Sequence, residues 1–332
     1  MATIYDVSQL AGVSLATVSR VMNKSSSVSE KTRKKVLEAM DKLGYKPNTF
    51  AQSLASNCSN SVGVLVSQLD GPYYGPMMAE IEEALRLENK HVIIAVGHSN
   101  AEQEIDSVEF LLSRGVDALI LDVEAVSDEY LVALSKGPTP IVLINRYIAA
   151  IQDRCIYLEN ELGGYLATRH LLELGHRDIA YISGPAKKHD ARERLVGHQR
   201  ALAEFGARFD PKLVFEGDYK EDSGVEGMKK LLFIGAPFTA VVCANDQMAS
   251  GAISVCQERG MNIPKDLSFV GYDNIPFARY VTPKLTTVNN PIHEMGRMAA
   301  LWLLKHVYQK NTQVDSVFEP QLVVRDSAIQ RQ

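Results

Sequence analysis

The chain reads as an α/β protein: a small three-helix unit at the amino terminus, then a large core of alternating strands and helices. Three observations carry this. The first 45 residues hold three short stretches of helical periodicity, punctuated by Gly12 and Gly44. From Ser61 onward, short apolar runs alternate with amphipathic stretches, the pattern of parallel sheets covered by crossover helices. Charge is divided as well. Residues 1–60 carry eight basic and four acidic side chains, a net +4, while the 332-residue chain carries −5, leaving −9 for the rest.

The amino-terminal helices follow from their caps. Thr3 with Asp6 three residues on has capping-box spacing, and Ile4, Val7, Leu10 and Ala11 form one apolar face. Gly12 ends that helix, and Ser14 is placed to cap the next, which carries Leu15, Ala16, Thr17, Ser19 and Arg20 outward with Val18 and Val21 turned inward. Ser29 opens a third helix with Val36, Met40 and Leu43 as its stripe. Two short helices around Gly-Val-Ser are the punctuation of a helix-turn-helix, whose second helix fits the DNA major groove. The local excess of positive charge agrees with contact to phosphate.

Pro47-Asn48 breaks the third helix, and Thr49–Ser56 follows with Leu54 as its large apolar residue. Two turns of helix are marginal alone in water. Two readings stand: a hinge helix that folds against its copy in a dimer and wedges Leu54 into the minor groove, or a plain linker running into Ser56–Ser61.

In the core, strands are expected at Val62–Val66, His91–Val96, Ala118–Leu121, Ile141–Ile144, Ile179–Ile182, Thr239–Cys243 and Leu267–Val270. Helices are expected at Met77–Glu88, Glu102–Ser113, Gly163–Leu174, Ala191–Phe205 and Asp222–Leu232. Ligands of parallel sheets sit beyond the carboxyl ends of the strands. The loops there are polar: Gln68, Asp70, Tyr73 and Tyr74; Asn145 and Arg146; His189, Arg192 and Arg194; Asp218 and Tyr219; Asn245 and Asp246; Tyr272, Asp273 and Asn274. Asp246 also fits the N-cap of a helix over Gln247–Arg259. The chemistry of Asp273, Arg194, Asn245, Asn145 and Tyr219 suits a sugar. A carboxylate accepts from vicinal hydroxyls, a guanidinium donates in a fixed fork, and an aromatic ring covers an apolar pyranose face.

Other classes find little support. The chain shows no G-x-G-x-x-G after the first strand, no G-x-x-x-x-G-K-[ST], no G-x-S-x-G and no H-E-x-x-H. An enzyme acting on a sugar or nucleotide is therefore the distant alternative, and no cofactor or metal is expected. Cys58, Cys155, Cys243 and Cys256 are scattered, without disulfide or zinc spacing. The start lacks an export signal, and no apolar run reaches membrane-spanning length. A cytoplasmic protein, associated with the nucleoid when on DNA and not with a membrane, is the expectation.

The segments TIYDVSQLAGVSLATVSRVMN, VSEKTRKKVLEAMDKLGYKPN and AQSLA resemble those of the lactose/galactose repressor family, and the likeness runs through the whole chain. It implies a dimeric repressor of sugar-utilisation genes with an effector-binding core like a two-lobed periplasmic sugar-binding protein. Carried over residue by residue, Leu15, Ala16 and Arg20 would face bases. Thr17, Asn23, Ser29, Tyr45 and Asn48 would hold phosphates, Leu54 would be the minor-groove lever, and Thr3 and Ala51 complete the DNA-binding set. LINR, ARERLVG, EGDY, ANDQMASGA and VGYDN resemble effector-contacting segments and carry Asn145, Arg194, Tyr219, Asn245, Asp246 and Asp273, which with Asp70 and Tyr73 from the loop after the first strand make the effector set.

The domains would be a headpiece over 1–46, a hinge over 47–60 and a core over 61–332. Within the core, one lobe takes about 61–158 and 288–318 and the other about 159–287 and 319–332, with crossings near Leu158, Thr287 and the carboxyl-terminal end. NRYIAAIQDRCIYLENELGGYLATRHLLELGH is most similar to the galactose-repressor branch, implying galactose or a galactoside as inducer. A β-glucoside or other sugar, or a corepressor of opposite sign, are the alternatives. The few residues after Ser327 leave no room for a coiled-coil tail, so the expected assembly is a homodimer on a pseudo-palindromic operator.

Overall fold

A computed structural model describes residues 2–22, 28–46 and 58–331. The chain forms two compact units, Met1–Asn60 and Ser61–Gln332. In the first, α1 (Ile4–Ala11), α2 (Leu15–Met22) and α3 (Glu30–Leu43) enclose a small core of Val7, Ala11, Val18, Val21, Val36 and Ala39. Thr3 and Asp6 make the reciprocal capping box, and Gly12 and Gly44 close their helices at φ 66° and 59°, where a Cβ would be strained. Leu10 departs from the expected stripe: it is 51% exposed, because helical spacing carries it past the edge of a three-helix core, and Ala39 fills the inward position on α3.

The second unit has two six-stranded sheets, each in one lobe. The first combines β1 (Ser61–Val66), β2 (His91–Val96), β3 (Ala118–Leu121), β4 (Ile141–Ile144), β5 (Cys155–Leu158) and β11 (Val317–Phe318), in the order β11-β5-β4-β3-β1-β2, all parallel. Helices α4 (Tyr74–Leu87), α5 (Ala101–Ser113) and α6 (Asp128–Ser135) belong to this lobe. The second combines β6 (Ile179–Ser183), β7 (Val214–Glu216), β8 (Ala240–Cys243), β9 (Ser268–Asp273), β10 (Thr286–Asn289) and β12 (Gln321–Val323), in the order β12-β10-β9-β8-β6-β7. Here only β12 runs antiparallel, against β10. Its helices are α7 (Asn160–Glu173), α8 (His189–Glu204), α9 (Glu221–Ile234) and α10 (Asp246–Glu258).

The chain crosses between lobes three times. It leaves the first sheet after Leu158 and returns after Asn289, since β10 still pairs with β9 through Asn289↔Asp273. The return therefore falls two residues beyond Thr287. Helix α11 (Ile292–His306) then packs on α4 and the first sheet, where the Trp302 indole donates to the Asp153 carbonyl at 2.8 Å. The third crossing lies between β11 and β12. Beyond it, Ser327 Oγ accepts from Thr286 N and donates to the Phe269 carbonyl, fixing the terminal segment to the second sheet. No helix among the described residues is long and apolar enough to cross a membrane.

Candidate nucleic-acid interface and effector cleft

On α2 the apolar side is spent on the core, Val18 and Val21 being buried, while Ala16 and Arg20 are exposed and Leu15 and Thr17 half-exposed. Ala16 and Arg20 are one turn apart and share a face, the arrangement a groove-reading helix needs. Three residues of the expected DNA-binding set also hold local structure. Thr3 Oγ1 donates to Asp6 Oδ2 at 2.8 Å, Thr17 Oγ1 lies 2.9 Å from Ser14 Oγ, and Ser29 Oγ caps α3 by accepting from Thr32 N. The bonds from Thr3 hold the Asp6 carboxyl below the usual carboxylate range. Tyr45 packs against the headpiece core. Asn23, Asn48, Ala51 and Leu54, with the hinge helix expected over Thr49–Ser56, lie outside the described residues.

In the core, the carboxyl ends of the strands of both lobes face one cleft of about 1040 Å³. Asp70, Tyr73 and Asn145 line it from the first lobe; Arg194, Tyr219, Asn245 and Asp273 line it from the second. Arg194 is the centre of the arrangement. Helices α7 and α8 approach so closely that a Cβ on Gly164 would overlap the Arg194 carbonyl and one on Gly197 the Glu161 carbonyl. This packing brings the Arg194 side chain to 2% exposure. Its guanidinium donates to Asn160 Oδ1 at 2.9 Å and to the Ala244 carbonyl at 2.7 Å. It lies 3.4 Å from Asp190 Oδ2, 3.7 Å from Asp273 Oδ1, and 3.8 Å over the Tyr272 ring. Burial opposes its charge, but Tyr219, Tyr272, Asp190 and Asp273 outweigh burial and keep it protonated. Asp273 is itself pushed up by burial and drawn back by Arg194, and Asn290 Nδ2 donates to its Oδ1 at 3.1 Å.

Three of the residues expected from sequence hold left-handed backbone: Asn145 at φ 57°, Tyr219 at φ 72° and Asp273 at φ 97°. Such conformations cost about 1–3 kcal/mol each in a side-chain-bearing residue and cluster at sites that need a group aimed in a fixed direction. Tyr219 also carries a buried hydroxyl with no hydrogen-bond partner among the described residues, and Asp122 a carboxyl oxygen in the same condition. Buried polar atoms without partners are uncommon, and two in one cleft mark where a polar ligand would complete the bonding.

Asp246 corrects the sequence reading twice. Asn245, not Asp246, caps α10, its Oδ1 accepting from Met248 N at 2.9 Å while its Nδ2 donates to the Tyr219 carbonyl at 2.8 Å. Asp246 is the first helical residue and fully buried beneath the cleft rather than lining it. It accepts from Thr287 Oγ1 at 2.6 Å and from Ile275 N at 3.0 Å, tying the segments after β8 and β9 to β10. Burial pushes its carboxyl well up, with Thr287 opposing. Arg146, beside Asn145, turns away to Asp128 Oδ1 at 2.6 Å and the Val126 carbonyl at 2.8 Å.

The structure adds four cleft residues that the sequence reading did not select: Asp122 and Glu124 beyond β3, and Lys188 and Asp190 beyond β6. Lys188 Nζ meets Glu124 Oε2 at 2.7 Å, joining the lobes across the cleft. Glu104, fully buried on α5, positions Glu124 by accepting from the backbone amides of Glu124, Ala125 and Val126. The signal was available: Asp122 directly follows β3, at the strand end where ligands are expected. Among the described residues, no group of three or more His, Cys, Asp or Glu side chains could hold a metal ion.

A helix-turn-helix headpiece joined to a two-lobed ligand cleft defines a ligand-controlled DNA-binding regulator. The model of the lacI family of bacterial regulatory proteins matches residues 3–48, and that of a periplasmic binding protein-like domain matches residues 168–328. The HTH-type transcriptional regulator GalR of Escherichia coli (strain K12) is 39% identical over 328 residues, spanning 98% of this chain and 96% of its own length. The HTH-type transcriptional repressor PurR of Pasteurella multocida (strain Pm70) is 35% identical over 338 residues and spans 100% of both chains. The crystal structure of the lac repressor dimer bound to operator and the anti-inducer ONPF matches with a TM-score of 0.87 at 32% identity, covering 99% of each chain. The chain belongs to the lacI family of bacterial regulatory proteins. It is a DNA-binding transcription repressor answering to an effector, not an enzyme.

Proposed function

We propose that the protein is a homodimeric, cytoplasmic repressor of sugar-utilisation genes, released from a pseudo-palindromic operator when galactose or a galactoside enters the cleft. The observation that carries the sugar is the convergence of Arg194, Asp273, Asn145 and Tyr219 on one cavity, three of them on left-handed backbone. The likeness of the stretch beginning at Asn145 to the galactose-repressor branch, and the 39% identity to GalR, support galactose. Asp70 and Tyr73 contribute from the mouth and the first lobe, and Asn245 contributes by fixing Tyr219. In the headpiece, Leu15, Ala16 and Arg20 read bases, and the hinge over 47–60 carries the coupling through Leu54. A second copy is supported by the apolar side chains left exposed on adjacent elements, Ile94 on β2 and Phe110 on α5.

The mechanism is linkage. A sugar bridging the lobes favours the lobe arrangement in which two headpieces cannot grip both half-sites, so sugar weakens operator binding and operator weakens sugar binding by the same factor. Calorimetric titration of galactose, methyl β-galactoside and cellobiose, with and without operator DNA, tests this. Galactose is expected to bind the free protein about 5–150-fold more tightly than the operator complex. No galactose binding at millimolar concentration refutes the galactose assignment, and no binding of any of the three refutes the sugar assignment. Tighter binding in the presence of operator refutes induction and makes the ligand a corepressor.

A further inference from the structure

The cleft holds nine carboxylic side chains against four cationic ones, and its two buried cations are both committed. Arg194 is occupied by Asn160, the Ala244 carbonyl, Asp190 and Asp273. Lys188 has a side chain 11% exposed and is paired at 2.7 Å with Glu124, whose side chain is 15% exposed and which belongs to the opposite lobe. The remaining two, Lys187 and Lys220, are exposed, and Lys220 lies 3.9 Å from Asp70. An anion reaching the interior would have to displace Glu124 from Lys188 and leave that carboxylate beside Asp122, whose own oxygen is buried without a partner. Stripping a buried carboxylate of its cation, beside a carboxyl that burial already pushes well up, is a strong means of rejecting a ligand.

We propose that Glu124 is a specificity determinant of this cleft: by neutralising Lys188 from across the lobes, it restricts the site to uncharged effectors and rejects phosphorylated sugars. The inference rests on the cleft being the effector site. It goes beyond the sugar assignment by naming what the site refuses, and by which residue. Glu104 is the positioning residue, since its bonds to the 124–126 amides fix where Glu124 stands. Removing the Glu124 charge frees Lys188 and turns the same pocket into one that accepts phosphate.

The experiment is titration of the full chain, without DNA, with galactose, galactose 6-phosphate and inorganic phosphate. Wild type is compared with Glu124→Gln and with the double variant Glu124→Gln/Lys188→Met. Phosphate held by the headpiece is common to all three, so differences report on the core. Wild type is expected to bind galactose 6-phosphate at least roughly tenfold more weakly than galactose. Glu124→Gln should gain roughly tenfold or more for inorganic phosphate, and Lys188→Met in the same chain should remove that gain. A 6-phosphate bound by wild type as tightly as galactose overturns the proposal. So does a folded Glu124→Gln protein, its thermal midpoint matching wild type, that gains nothing for phosphate. Glu124→Ser serves as the second variant where the glutamine misfolds. Absence of galactose binding to wild type together with the phosphate gain in Glu124→Gln refutes the galactose assignment and supports the role of Glu124.

Discussion

Asp273→Asn isolates the acceptor at the heart of the cleft, because the amide keeps the shape of the carboxylate at the end of β9. Asp273 Oδ1 accepts from Asn290 Nδ2 at 3.1 Å and faces Arg194 Nη1 at 3.7 Å. In the variant the amide oxygen is retained by Asn290, so an NH₂ turns toward the cleft where a second acceptor stood. A sugar hydroxyl donating there would meet a donor. A hydrogen bond to a charged group contributes about 1.5–3 kcal/mol, so galactose affinity should fall roughly 10–160-fold. The fold should survive: Arg194 keeps Asn160, the Ala244 carbonyl and Asp190. Burial already pushes the Asp273 carboxyl up, so charge at this position is costly in the empty cleft. Calorimetry with galactose and fluorescence anisotropy of labelled operator read the two sides of the linkage. The expected product is a repressor that holds operator normally and is not released by galactose at concentrations that release wild type. Galactose affinity within about threefold of wild type (about 0.6 kcal/mol), with normal release, would refute the placement of this carboxylate against the ligand.

Three further outcomes are expected. Leu54→Gly should lower operator affinity while galactose affinity of the free protein stays near wild type, and equal operator titrations for both proteins would sink the hinge-lever idea. His198 is fully buried and its imidazole is pushed down to about 3 by burial, so the folded protein keeps it neutral while the unfolded chain takes a proton below about 6.5. Stability is therefore lost as pH falls from 6.5 toward 3, by about 1.4 kcal/mol per unit, and His198→Gln should be flatter by roughly 2 kcal/mol between pH 7 and 5 in urea unfolding. Parallel pH profiles would disprove it. Gly164→Ala places a methyl against the Arg194 backbone and should cost about 1–3 kcal/mol or more while also weakening galactose binding. An unchanged melting temperature would mean that α7 and α8 part without penalty.

Much of the fold was written in local periodicity. The His91–Val96, Ala118–Leu121 and Ile141–Ile144 strands begin and end at the residues expected, since each is a short, mostly apolar run bounded by polar residues, glycine or proline. Boundaries drifted where polar residues continue a regular element. β9 runs on through Tyr272 to Asp273, because pairing with β10, not apolarity, sustains it. The exchange of roles between Asn245 and Asp246 is the same error at one residue's scale. Either can cap a helix, and only the position of Thr287 decides which is drawn inward. The Glu124–Lys188 pair was illegible for a stronger reason. Its partners are 64 residues apart, beyond strands of different sheets, and nothing in either local segment states that the lobes will bring them within 2.7 Å. By contrast Asn145, Tyr219 and Asp273 could be grouped from sequence because parallel sheets place strand ends together, and Arg194 because its helix starts from such a loop; all four line the one cleft.

The last two strands give the protein a timetable. β11 joins one sheet and β12 the other, so both lobes wait for residues beyond 316 before either is complete. Among the described residues, the headpiece uses nothing after Tyr45 for its helix caps and its core. At about 5–20 residues per second, a ribosome exposes the helix-turn-helix on the order of 15–50 s before the module that restrains it can close. A nascent chain is thus basic at its free end and unregulated for much of its synthesis.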